Sequence, residues 1–116
     1  MTEYPEKLYS LQELRTIADG DESFLQSMIA LFISQTQSSM EEVLTSFNTG
    51  DFARVKGILH KLKPSVMVMG VQPATSIILQ VEQSDLSQFT EPPMKELITS
   101  LEEILKVTNR QLREIC

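Results

Sequence analysis

Apolar residues along the chain recur every three to four positions, not every two, which predicts long amphipathic helices. From Asp21 onward, Phe24, Met28, Phe32, Met40, Val43, Leu44 and Phe47 form one stripe, weakened between Gln35 and Ser39 where a bend is allowed. Residues 48–50 end that helix, and the turn is so short that the next helix must return antiparallel. Asp51 caps this next helix. With Leu62 set to 0° and 100° added per residue, Val55, Ile58, Leu59, Val66 and Met69 fall within about 60° of it. Gly70 stops it, and Pro73 suits the first turn of a further helix carrying Ile77, Ile78 and Val81. A polar loop is expected over residues 84–90. Pro92 and Pro93 then open a last helix with Met94, Leu97, Ile98, Leu101, Ile104, Leu105 and Leu112 on one side. Ahead of all these, Ser10-Leu11-Gln12-Glu13 reads as a capping box that starts a short helix ending near residues 18–20. No segment alternates as a strand. The pattern predicts an all-α fold: an antiparallel four-helix bundle with a short extra N-terminal helix lying across it, one domain over residues 1–116.

Composition narrows the class. A chain of 116 residues with 41% hydrophobic and 22% charged residues is globular and supports one modest core. The net charge of −6 argues against a nucleic-acid partner. The longest apolar runs, residues 28–33 and 66–69, are too short for membrane insertion. Residues 1–10 lack the apolar core of a signal peptide. The single cysteine, Cys116, fits a reducing cytoplasm. The methionines at 28, 40, 69 and 94 read as core filling, while Met67 has the phase of a rim position.

One residue stands apart chemically. His60, the only histidine, lies roughly 160° from the centre of its helix's apolar stripe and so points outward. Its neighbours one turn away are Lys56, Gly57, Lys63 and Pro64. Imidazole is the one side chain whose ordinary pKa leaves a neutral nucleophile near pH 7. Such a nucleophile can attack phosphorus in line, and Lys63 at i+3 and Lys56 at i−4 are placed to offset the transferred charge. Ala53, Gly57 and Pro64 are small enough to let a partner approach. Gly57 costs about 1 kcal/mol relative to alanine in a helix interior. Close approach of a partner accounts for it, or tight packing against a neighbouring helix does. Lys61 lies on another face and reads as a solvated charge, and Ser65 as bonding a carbonyl of its own helix. Pro64 removes the bond to the His60 carbonyl. Even so, Leu62, Val66 and Met69 keep the apolar phase across it, so a kinked but continuous helix is expected.

The run His60-Lys61-Leu62-Lys63-Pro64-Ser65-Val66-Met67-Val68-Met69-Gly70 resembles the active-site motif of histidine phosphotransfer (HPt) domains, the phosphocarrier modules of multistep two-component relays. That motif is His-x-Leu-Lys-Gly-Ser, followed by a large apolar residue and glycine. His60, Leu62, Lys63, Ser65, Met69 and Gly70 match it, and Pro64 stands where the family has glycine. The helix starts Asp21-Glu22-Ser23-Phe24-Leu25 and Gly50-Asp51-Phe52 are also similar to the family's, so the resemblance covers most of residues 10–85. It implies relay of a phosphoryl group between response-regulator receiver aspartates through a phosphohistidine at His60, with Lys63 neutralising the phosphate. Ala53, Lys56, Gly57, Pro64 and Met67 are then the partner-binding residues, on the helices over residues 21–47 and 51–69. The implied partners are receiver domains, a hybrid sensor histidine kinase, or both. The chain is expected to be a cytoplasmic monomer and a covalent intermediate, not an enzyme. It would hold no cofactor or metal of its own, with Mg²⁺ on the partner receiver.

Two rival functions follow from the same residues. A histidine-kinase dimerisation helix carries His-Glu-Leu-Arg-x-Pro. Here Lys61 replaces the acidic residue, the proline falls one position early, and no glycine-rich nucleotide segment is present. A helical adaptor that merely docks, with no chemistry at His60, is the other.

Overall fold

The computed structural model describes residues 6–115, so the expectations for residues 1–5 and for the thiol of Cys116 lie outside it. Among the described residues the chain is all-α and has no strand. The helices are α1 (Gln12–Ala18), α2 (Glu22–Asn48), α3 (Phe52–Val68), α4 (Gln72–Gln83) and α5 (Pro92–Arg113). No helix among them is long and apolar enough to cross a membrane.

Local chemistry fixes the helix ends. Asp21 accepts from the Phe24 N–H at 2.9 Å and Asp51 from the Arg54 N–H at 3.2 Å, each satisfying a donor the helix leaves orphaned. Gly50 and Gly70 close the turns after α2 and α3 with φ of 83° and 68°, left-handed values that glycine adopts without strain. At Gly70 a side chain is also excluded by space, because a Cβ would lie 2.8 Å from that of Ser10.

The four long helices form a closed ring, each packing on its sequence neighbour and α5 returning to α2, while α1 lies on α2. Val43, Leu59, Ile78 and Leu101 are fully buried, one from each wall of the core. Each buried Leu or Ile of this kind contributes about 1.5–3 kcal/mol. The N-terminal segment is tied to the C-terminal ends of two helices: the Leu8 N–H donates to Gln111 Oε1 in the last turn of α5 at 2.9 Å, and the Ser10 N–H donates to the Met69 carbonyl just after α3 at 2.9 Å.

Three expectations are corrected. The capping box at Ser10 does not form: Leu11 occupies the N-cap position, and Ser10 spends its backbone on Met69, its hydroxyl accepting only a 3.3 Å bond from the Gln12 N–H. The expected stripe of α2 holds at Phe32, Met40 and Val43, which are buried, but not at its start, and it omits several inward positions. Leu25, Ile29, Thr36 and Ser46 face inward, whereas Phe24 is exposed and Met28 half-buried. The helix also runs unbroken through residues 35–39, where Thr36 is buried and accepts from Asn109 Nδ2 at 2.8 Å. Residues 84–90 are not a simple loop, since Leu86–Thr90 is a 3₁₀ turn that buries Phe89 against Phe52, ring centroids 5.2 Å apart.

Candidate functional site

Burial of Val55, Leu59, Leu62 and Val66 fixes the rotation of α3, and with it the outward direction of His60. Its side chain is 72% exposed. The helix continues through Pro64 to Val68, so the residues around His60 keep helical phase. Viewed down the axis at 100° per residue, Lys56 and Lys63 lie about 40° and 60° to one side of His60, and Pro64 and Gly57 the same angles to the other. The first side faces α4 and the second faces α2.

The α4 side holds the residue that sequence reasoning missed. Glu82 is the only charged residue of α4 and sits in its last turn, where the helix dipole disfavours a carboxylate. Its Oε2 lies 2.7 Å from His60 Nδ1, and its Oε1 accepts from Lys63 Nζ at 2.6 Å. The hydrogen bond from Lys63 holds the Glu82 carboxyl below its ordinary value. Partial burial opposes this, and the hydrogen bond from His60 and the charges of both partners add to it. An ionised carboxylate has no proton to give, so Nδ1–H is the donor in the His60–Glu82 bond. In the neutral ring the other nitrogen, Nε2, is the one that carries the lone pair. One carboxylate therefore joins His60 and Lys63 into a single unit and sets which imidazole nitrogen is nucleophilic.

Lys56 does not join that unit. Its Nζ donates to the Ser84 carbonyl at 2.8 Å, satisfying an exposed acceptor at the C-terminal end of α4. Lys56 thereby fastens α4 to α3 one turn from the histidine.

On the α2 side the surface is bare. Ala53, Gly57 and Pro64 are exposed there, while Met67, 54% exposed, stands toward α1 and α4. A Cβ built on Gly57 meets nothing within 4 Å, which removes tight helix packing as the reason for that glycine. Ser65 is half-buried and makes no side-chain hydrogen bond among the described residues, so the expected bond to its own helix is absent. Ile17, Phe24 and Leu31 are exposed large apolar residues that, with Pro64, line a groove between α1, α2 and α3.

No group of three histidine, cysteine, aspartate or glutamate side chains converges among the described residues. The chemistry available is that of one oriented imidazole, one carboxylate and one ammonium group. No family model matches the chain, and neither does any curated protein or any solved structure.

Proposed function

We propose that this chain is a histidine phosphocarrier of the HPt kind, with His60 as the residue that takes and gives up the phosphoryl group. The observation that carries the reading is the Glu82–His60 hydrogen bond on an otherwise exposed ring, which in the neutral tautomer reserves Nε2 as the nucleophile. The motif resemblance and the four-helix bundle agree with it.

The step follows from that geometry. The Nε2 lone pair attacks the phosphorus of an aspartyl phosphate on a receiver, in line with the departing carboxylate oxygen. The N–P bond forms as the P–O bond breaks, and the electron pair leaves with the aspartate. The proton on Nδ1 stays where it is. The ring gains a positive charge, which Glu82 faces at hydrogen-bond distance. Lys63, one turn along, offsets the charge of the phosphoryl oxygens. Delivery to a second receiver is the reverse step. The acceptor aspartates and their Mg²⁺ belong to the receivers, and Ala53, Gly57, Pro64 and Met67 form the approach to the ring. In this reading the chain is a cytoplasmic monomer that serves receivers, a hybrid sensor histidine kinase, or both, and it turns nothing over by itself.

Incubation with receiver domains phosphorylated by radiolabelled donor tests this. Acid-labile, base-stable label is expected on the wild type and not on His60→Gln. Label of that kind persisting on His60→Gln overturns the reading.

A further inference from the structure

Four basic side chains cluster between Arg54 and Lys63, and three of them are already engaged. Arg54 meets Glu42 at 2.9 Å, Lys56 donates to the Ser84 carbonyl at 2.8 Å, and Lys63 donates to Glu82 at 2.6 Å. Lys61 is exposed and makes no hydrogen bond or ion pair among the described residues. It stands about 100° around the helix from His60, on the side away from α4. There it borders two shallow polar hollows of the α2–α3 seam, one reaching Ala53 and Gly57, the other Ser34, Ser38 and Ser65. The second continues through Ser65 into the apolar groove beside Pro64.

The two flanks of His60 therefore differ in kind. Toward α4, three bonds to Glu82 and Ser84 close the seam and occupy both lysines. Toward α2, the surface offers small residues, hollows and one unengaged cation. We propose that Lys61, the one unengaged cation of the cluster, steers the phosphoryl-bearing partner onto this flank. This rests on the phosphocarrier reading. The partner's chemistry supports it: a surface that presents an acyl phosphate beside carboxylates holding a divalent cation is acidic. A chain of net charge −6 repels such a surface as a whole. An unengaged lysine beside the nucleophile then decides the orientation of encounter.

The experiment compares Lys61→Gln and Lys61→Glu with Lys95→Glu, which makes the same charge change on exposed α5, diagonal to α3 in the ring. The phosphorylated receivers that label the wild type are the donors, in low and high salt. Phosphoramidate is a second donor that needs no docking. The expected result at low salt is a fall in the second-order transfer rate of about threefold for Lys61→Gln and about tenfold for Lys61→Glu, shrinking at high salt. Lys95→Glu stays within a factor of two of wild type, and labelling by phosphoramidate is unchanged in all variants. Lys61 variants that match Lys95→Glu at low salt overturn the inference and leave the phosphocarrier reading standing. Absence of label on His60 from either donor overturns both.

Discussion

Replacing Glu82 by glutamine separates the charge of that residue from its shape. Glutamine keeps an oxygen that accepts from His60 Nδ1–H, but it offers neither Lys63 nor a positively charged ring a counter-charge. Lys63 and Glu82 are 23% and 17% exposed and 2.6 Å apart. A hydrogen bond to a charged group is worth about 1.5–3 kcal/mol, and partial solvation reduces this pair to about 1–2 kcal/mol of stability. The rate effect comes from the ring. Two unit charges 4 Å apart attract by about 1 kcal/mol in water and about 4 kcal/mol at an effective dielectric of 20. The ring is 72% exposed, which places the value in the lower half of that range. A loss of about 1–2 kcal/mol slows transfer roughly five- to thirtyfold. Single-turnover transfer from a phosphorylated receiver measures it, and urea unfolding across pH measures the stability. The Glu82 carboxyl is held below its ordinary value of 4.5 in the folded protein. Its contribution is therefore complete above that value and lost as pH falls through the lower folded one. Wild type should exceed Glu82→Gln in stability at pH 7, and the gap should close as the pH is taken below 4.5. Equal transfer rates together with equal stability at pH 7 would refute the role given to this carboxylate.

Gly57→Ala should stabilise the fold by about 0.5–1 kcal/mol, because the glycine is helical and a Cβ there meets open space. Gly57→Leu should remain folded by circular dichroism yet transfer more slowly, and unchanged kinetics in that variant would show that the partner docks elsewhere. Asn109 is buried, its Oδ1 has no partner among the described residues, and Thr36 keeps its own bond to the Phe32 carbonyl without it. Asn109→Leu should therefore raise stability by about 1 kcal/mol in urea unfolding, and a loss of that size would contradict the assignment.

The elements of the bundle were legible because their signals are local. Asp21, Asp51, Gly50 and Gly70 act within a few residues of themselves, and the α3 stripe needs only the helical period. In α2 the period finds Phe32, Met40 and Val43 but not Thr36 and Ser46, which are polar and small, and it takes exposed Phe24 in place of its buried neighbour Leu25. Phe89 was hidden in a polar stretch whose burial depends on Phe52, far away in sequence. His60 stood out by chemistry and phase alone, whereas Glu82 acts across 22 residues of chain and from another helix. Its trace in the sequence is an isolated acid in the last turn of an uncharged helix, a position that the dipole disfavours unless a cation from elsewhere meets it. The engagement of Lys56 with Ser84 has no trace of that kind, since a lysine at i−4 from a histidine looks the same whether its ammonium points at the ring or at the next helix.

The central claim is tested most directly by nitrogen-resolved NMR of the single imidazole, before and after incubation with a phosphorylated receiver. The account predicts a proton on Nδ1 in the resting protein and a phosphoryl group on Nε2 afterwards. A ring that stays unphosphorylated, or one that carries the phosphoryl group on Nδ1, contradicts it.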